Sequence, residues 1–359
     1  MNAERHLRIT QVMLSKGFGG GERYFVDLVC ALADAGHTVQ ALCHARHTGL
    51  KALFARENVE VTTTNLRGLW DAPSVRGFAC RVAGFAPDVI HAHMARGAWA
   101  GGKVVLRHGG CLVATTHNYV NLKYYRQVHT FIPTTRDQAS YLARSGVPPG
   151  RVVRIPNFSA LEPVSEVATL ENDGITFVAM GRFVPKKGFG VLLEALSLLR
   201  ANGVDAQLVL GGSGPEERRL RRLAERLGVA RSVRFAGWID DVSAFLSSGD
   251  AFVLPSLDEP FGIVILEAMA AGRPIVTSRS KGPSEILDDD TAWFADVGNP
   301  MMLAEGMAAL ANDTATARRK AERALQRYRD RYSANVVVPR IESLYRKVIA
   351  NIGGPALAQ

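Results

Sequence analysis

Ala251-Phe-Val-Leu-Pro-Ser-Leu-Asp258-Glu259-Pro-Phe261-Gly262-Ile263-Val-Ile-Leu-Glu267-Ala-Met-Ala-Ala-Gly-Arg-Pro274 decides how this chain folds. Its first four residues are a short apolar run that reads as a strand, followed by a loop bearing Asp258 and Glu259. Gly262 allows a sharp turn into a helix over Gly262–Ala271, and Pro274–Ser278 reads as the next strand. Both Glu259 and Glu267 therefore lie near a helix N-terminus at the carboxyl end of a strand, where backbone N–H groups favour an anion such as a diphosphate. A carboxylate held there can accept two hydrogen bonds from a ribose diol or from sugar hydroxyls. Phe261, Gly262 and Ile263, at the turn, join Glu267 as candidate nucleotide contacts. A plainer reading makes Glu259 a helix-terminal charge and Glu267 a buried, satisfied carboxylate. Because Val264, Ile265, Leu266, Ala268 and Met269 surround it in sequence, an ionised Glu267 needs a partner.

The same alternation of apolar runs and helical periods extends outward in both directions. Upstream, strands are expected at Ile175–Met180, Gln207–Leu210 and Val233–Phe235, with helices over Val191–Asn202, Pro215–Leu227 and Ser243–Ser248. With Ala251–Leu254 and Pro274–Ser278 these complete the strand list of the second half. The first half begins with a strand over Leu7–Leu14, a glycine turn, and a helix from about Glu22 to Ala35 that Gly36 ends. Further strands are expected at Thr38–Cys43, Val59–Thr63, Asp88–Ala92 and Leu112–Thr116, and Val152–Ile155 reads as the last. Two successive βαβ series predict an α/β chain of two Rossmann-like domains with ligand sites at the carboxyl ends of their strands. The boundary falls near Asn157–Ser165, giving 1–158 and 159–336. Helices over Pro300–Leu310, Thr314–Tyr332 and Val337–Ile352 form the tail.

Charge is unevenly spread. Residues 1–158 hold 19 Lys/Arg against 9 Asp/Glu, whereas the remainder is nearly balanced, with 24 against 25. A basic first half fits an anionic membrane surface, a phosphorylated acceptor or nucleic acid, and equally a solvated face with no partner. No nucleic-acid-binding module is recognisable. The four cysteines, Cys30, Cys43, Cys80 and Cys111, lack close spacing and read as reduced structural thiols. No apolar run approaches a membrane span, so the expected location is cytoplasmic, at most peripheral on the inner membrane face.

Gly181-Arg182-Phe-Val-Pro-Lys186-Lys187-Gly188 follows a strand and precedes a helix. Arg182 and Lys187 would put two cations near a diphosphate and stabilise it as a leaving group, a task otherwise given to a divalent metal. No Asp-x-Asp motif or His/Cys ligand cluster points to a catalytic metal, and no cofactor is expected. Gly211-Gly212-Ser213-Gly214 is a second glycine turn between strand and helix, and Gly212 and Gly214 are candidate phosphate or base contacts.

Glu259-x7-Glu267, within Asp-Glu-Pro-Phe-Gly…Glu-Ala-Met-Ala-Ala-Gly-Arg-Pro-Ile-Val, resembles the retaining GT-B glycosyltransferases of family 4. The resemblance spans nearly the whole chain and is tightest from Ile175 to Leu287. It implies two Rossmann-like domains facing across a cleft, with the last helix, about 337–359, returning to the first. By resemblance Arg182 and Lys187 are the phosphate-binding pair, and Gly19-Gly20-Gly21-Glu22 is the family's glycine loop. His117, in Thr115-Thr116-His117-Asn118, matches the family's contact to the donor sugar. His93, ending Asp88-Val-Ile-His91-Ala-His93, is a weaker candidate for the same role. Trp238 stands near the family's nucleobase position, or else packs in the core. The sequence departs at Asn157-Phe158, where a Gly usually follows the Asn.

The expected activity is retaining transfer of a hexosyl group from a UDP- or GDP-sugar to a hydroxyl of a lipid-linked, lipopolysaccharide or polysaccharide acceptor. Glu259 would hold the donor sugar, Glu267 the ribose and His117 a sugar hydroxyl. A small soluble acceptor, or a nucleotide-binding protein of this fold without turnover, are the alternatives. Asn121-Leu-Lys123-Tyr124-Tyr125-Arg126 alternates basic and aromatic residues. It reads either as a grip for a membrane interface or glycolipid headgroup, or as an ordinary helix with a mixed face.

Overall fold

The computed structural model describes residues 5–17, 19–45, 51–66, 71–169 and 174–352. Phe18 of the first glycine cluster and residues 353–359 of the returning tail lie outside them. The chain divides into two compact units, Met1–Ala160 with Ala334–Gln359, and Leu161–Ser333.

Unit 1 carries β1 (Arg8–Met13), α1 (Gly20–Asp34), β2 (Thr38–His44), α2 (Lys51–Phe54), β3 (Val59–Thr64), α3 (Ala72–Phe85), β4 (Val89–His93), α4 (Met94–His108), β5 (Leu112–Thr116), β6 (Thr130–Pro133) and α5 (Arg136–Arg144). Its sheet is wholly parallel, in the order β3-β2-β1-β4-β5-β6. β1 reverses the order of winding, as in doubly wound sheets. The central strands β1, β4 and β5 are almost wholly buried, whereas β3 at the edge is mostly polar and half-exposed. α4 lies flush on the sheet because of its glycines. A Cβ on Gly97 would stand 2.7 Å from the Val12 carbonyl oxygen, and one on Gly101 2.9 Å from Leu112.

Two expectations for this unit need correction. The last strand is Thr130–Pro133, not Val152–Ile155. The latter runs beside β6, with Val153 N–H donating to Phe131 O (3.0 Å) and Ile155 N–H to Pro133 O (3.2 Å), but forms only an isolated bridge at Val152. Pro133 is tolerated because β6 is the edge strand of the sheet. Asn121–Arg126 is not a helix with a mixed face: it contains a single 3₁₀ turn, Leu122–Tyr124, and Tyr125 turns inward and is buried.

Unit 2 carries β7 (Ile175–Met180), α6 (Phe189–Ala201), β8 (Ala206–Gly211), α7 (Glu217–Arg226), β9 (Val233–Gly237), α8 (Val242–Ser247), β10 (Ala251–Leu254), α9 (Ile263–Ala270), β11 (Ile275–Ser278), α10 (Lys281–Ile286), β12 (Trp293–Ala295), α11 (Pro300–Asn312) and α12 (Thr314–Arg331). The sheet order β12-β11-β10-β7-β8-β9 repeats the pattern of unit 1, with β12 added to the strands expected from the sequence. Three residues long and with Trp293 and Phe294 half-buried, β12 is too short to show a period.

The final helix, α13 (Ala334–Ile352), belongs to unit 1. It buries Val337, Val338, Ile341, Leu344, Tyr345 and Val348. Glu342 meets the buried His37 ring at 2.6 Å, and Arg346 donates to the Arg5 carbonyl at 2.9 Å. Among the described residues, no helix is long and apolar enough to cross a membrane.

Candidate functional site

In unit 2 the candidate residues gather on three loops at the carboxyl ends of β7, β8 and β10, and backbone contacts knit these loops together. Phe183 N–H donates to Ser213 O (2.9 Å), and Glu216 N–H returns to Phe183 O (3.0 Å). Leu257 N–H donates to Lys186 O (2.8 Å). Two glycines permit these approaches. Gly188, at φ +68°, and Gly212, at φ +123°, both lie in the left-handed region, and Cβ atoms there would collide with the carbonyl oxygens of Pro255 and Gly181. A Cβ on Gly214 would also be too close to the Phe183 backbone, 2.5 Å from its carbonyl oxygen.

Lys187 and Glu259 form an ion pair across two of these loops, and Ser256 Oγ also donates to Glu259 at 3.3 Å. Glu259 is buried, and Gly282 N–H donates to its carbonyl at 2.8 Å. A half-buried ammonium against a buried carboxylate keeps both charges compensated before any ligand arrives. Arg182 is exposed at the end of β7. Gly262, at φ +95°, opens α9, and Phe261 and Ile263 flank it as buried side chains. Glu267 lies one turn along α9 and is buried at 4 % exposure. Trp238 is 57 % exposed and donates from Nε1 to Asp240 at 3.1 Å, so it does not pack in the core.

In unit 1 the sequence candidates meet a polar ladder that sequence reasoning missed. Gln11 of β1, His91 and His93 of β4 and Thr115 of β5 share one face of the sheet. His117 follows directly after β5. The rings of His91 and His93 stack at 4.5 Å between centroids, and those of His93 and His117 at 5.4 Å. Tyr24 of α1 packs edge-on against His117 at 5.5 Å. Burial lowers the pKa of His91 to about 3 and of His117 to about 4, and pushes that of His93 well below its usual value, so all three rings are neutral near pH 7. His93 is fully buried, enclosed by its neighbours, and does not share the position of His117. Gly21 packs close to His117: a Cβ there would stand 3.4 Å from its ring and 2.8 Å from the Met94 methyl. Met94 itself holds φ +59°, a strained conformation for a side-chain-bearing residue. Gly19 precedes α1 and Gly20 opens it, with Glu22 buried in its first turn. The one sequence signal for the ladder was the i, i+2 spacing of His91 and His93. Its outer member, Tyr345, comes from α13 and carried none.

A separate face of unit 1 is basic and aromatic. Lys103 lies over the Trp99 ring at 5.7 Å and Lys123 over Tyr124 at 4.8 Å. With Leu106 (60 % exposed) and Arg126 they line a hollow of about 230 Å³.

Among the described residues, no group of three or more His, Cys, Asp or Glu is placed to hold a metal ion. Asp288-Asp289-Asp290 does have Asp-x-Asp spacing, contrary to the sequence reading. Arg327 (2.6 Å), Arg279 (3.1 Å) and Arg323 (2.8 Å) engage its three carboxylates.

Residues 163–327 match the family described as glycosyl transferases group 1, and residues 18–162 match glycosyltransferase family 4. The chain is 31 % identical over 345 residues to the lipopolysaccharide core biosynthesis glycosyltransferase LpsD of Rhizobium meliloti, covering 92 % of this chain and 96 % of that one. It is 32 % identical to LpsE of the same organism, over 88 % of this chain and 92 % of that one. The solved structure of HepE from Anabaena with UDP and glucose superposes with a TM-score of 0.82 at 20 % identity, over 95 % of this chain and 100 % of that one.

Proposed function

The chain belongs to the family 4 glycosyltransferases of GT-B fold, and from that premise we propose that it moves a hexosyl group, with retention, from a nucleoside diphosphate sugar to a hydroxyl of a lipopolysaccharide-core or related glycan. The observation that carries the reading is the Lys187–Glu259 pair, gathered with Gly262 and Glu267 at the strand ends of unit 2.

In this proposal Lys187 and Arg182 take the diphosphate. Their charge stabilises the leaving group as the bond to the anomeric carbon breaks, which removes the need for a divalent metal. Backbone N–H groups at Phe261, Gly262 and Ile263 add to the same attraction. The glycine turn at Gly212 and Gly214, and the one at Gly19, Gly20 and Gly21, let backbone approach the donor. Glu267 accepts from the ribose hydroxyls and Glu259 from the sugar, while His117 meets a sugar hydroxyl. Retention without an enzymic nucleophile follows if a departing phosphate oxygen takes the acceptor proton on the same face, through an oxocarbenium-like state. The acceptor is chosen from the two Rhizobium relatives, each named for lipopolysaccharide core biosynthesis and matched over nearly its full length. A UDP-sugar is the first donor to test, because a structure of the similarly folded HepE contains UDP-glucose. We further propose that the Trp99–Lys103–Tyr124 face rests on an anionic membrane surface or glycolipid headgroup, its aromatic rings at the interface and its cations on phosphates.

The test is a thermal-shift screen of UDP, GDP, ADP and TDP and their glucose or mannose conjugates, with and without EDTA. A ligand that binds the folded state raises the melting temperature by mass action. An EDTA-insensitive shift with one nucleotide series is expected, followed by transfer from that donor to a truncated core oligosaccharide. No shift with any nucleotide would overturn the donor reading.

A further inference from the structure

The ladder beside His117 has a direction of hydrogen bonding that constrains what His117 can offer a ligand. Tyr345 OH lies 2.6 Å from His91 Nδ1 and accepts from Gln11 Nε2 at 3.0 Å. Among the described residues His91 Nδ1 is the one acceptor within reach of the phenol proton, so the phenol donates to it. Burial holds its pKa far above the usual value, so it keeps that proton. His91 must then carry its own proton on Nε2, which donates to Thr115 Oγ1 at 2.8 Å. The other end of the Gln11 amide, Oε1, can only accept, and it lies 2.8 Å from His93 Nε2. His93 is therefore the Nε2–H form, with a bare Nδ1. That bare nitrogen lies 3.2 Å from His117 Nε2, which must be the donor. Among the described residues, His93 is the single hydrogen-bond partner of His117.

We infer that Gln11 and Tyr345 are positioning residues that lock His117 in its Nε2–H form, so that the ring presents a bare Nδ1 and selects a hydroxyl donor over a phosphate oxygen. Phosphate oxygens only accept, so opposite Nδ1 they would place lone pair against lone pair, whereas a sugar hydroxyl donates its proton. This rests on the donor reading given above for its ligand, but the tautomer itself does not. The device is built from β1, β4, β5 and α13, and neither Gln11 nor Tyr345 touches the Gly21 side of His117. Both would act through other side chains, as partners of metal-bound histidines do when they set a ring's tautomer.

Tyr345→Phe removes both the nearer acceptor of the Gln11 amide and the donor that keeps His91 Nδ1 bare, leaving that amide only His91 Nδ1 at 3.4 Å, a partner whose own tautomer is then free to change. The amide can then turn, donate to His93 and reverse the tautomers of both His93 and His117. Gln11→Leu removes the constraint outright. The experiment is long-range proton–nitrogen correlation NMR on protein labelled with ¹⁵N-histidine, with His117 assigned through the loss of its resonances in His117→Gln. Wild-type protein should show one His117 species with Nε2 protonated and Nδ1 bare. Both substitutions should add an Nδ1–H species while circular dichroism stays native. A wild-type His117 protonated on Nδ1 overturns the inference, whether or not the variants fold; so does a His117 tautomer unchanged in two folded variants. UDP and UDP-glucose are then compared as probes. UDP-glucose should move the His117 Nδ1 resonance and UDP should not, and an equal response to both would refute hydroxyl selection. If neither perturbs any histidine nor raises the melting temperature, the donor reading fails, while the free-protein spectrum still decides the tautomer.

Discussion

In the proposed donor site Lys187 meets the leaving diphosphate, and in the free protein it is already paired with Glu259. Removing one such preorganised group costs about 100-fold in turnover. Lys187→Ala is therefore expected to lower kcat by about 100-fold, with a smaller change in donor KM. Glu267 is assigned to the ribose, so Glu267→Ala should instead weaken UDP binding by about tenfold, one hydrogen bond to a charged group. Steady-state kinetics with calorimetric UDP titration separate the two, and unchanged values in both variants would sink the assignments. Gly188 tests the scaffold rather than the chemistry. Its φ of +68° and the carbonyl of Pro255 beside it leave no room for a methyl group. Gly188→Ala should cost about 2 kcal/mol or more in a denaturant titration.

At the scale of elements, β4 places two neutral histidines inside a sheet, and β5 leads to a third. All three have pKa values depressed by burial below the ordinary 6.5. Above pH 6.5 they are neutral folded or unfolded and contribute nothing to pH dependence. As pH falls from 6.5 towards 4 the unfolded chain takes up protons that the folded one refuses, so stability falls by about 1.4 kcal/mol per histidine per pH unit. Asp27, raised to about 6 by burial, works in the opposite sense, as one group against three. Melting temperatures should therefore drop between pH 6.5 and pH 4.5, and a flat profile would contradict the neutral ladder. These elements also show what sequence could and could not deliver. β5, β7 and β10 were legible to the residue because each is a short run of apolar and β-branched residues between turn signals. α3, α4 and α5 were not placed: α4 is rich in Gly, Ala and basic residues, and its buried face of small side chains with Val104 fits the sheet through Gly97 and Gly101. Glu259, Glu267 and Lys187 were legible as candidates because their motif is local. The pairing of Lys187 with Glu259, and the contact of Tyr345 with His91, join residues 72 and 254 positions apart, and no local pattern encodes either.

For the whole molecule, two doubly wound units with the same strand order are joined so that the second interrupts the first. Unit 1 is completed by α13, which buries its own Val337, Ile341, Leu344 and Tyr345 against it. A chain ending before Ala334 should melt in two steps, with unit 2 near its original temperature and unit 1 well below, as scanning calorimetry would show. A single unchanged transition would mean that α13 is dispensable. The order of synthesis gives this arrangement another consequence. The first 160 residues leave the ribosome well before their closing helix exists, whereas Leu161–Ser333 emerges as one uninterrupted stretch. The later half can therefore mature first, while the earlier half waits without the helix that completes it, sensitive to translation rate and to chaperones that bind unfinished domains.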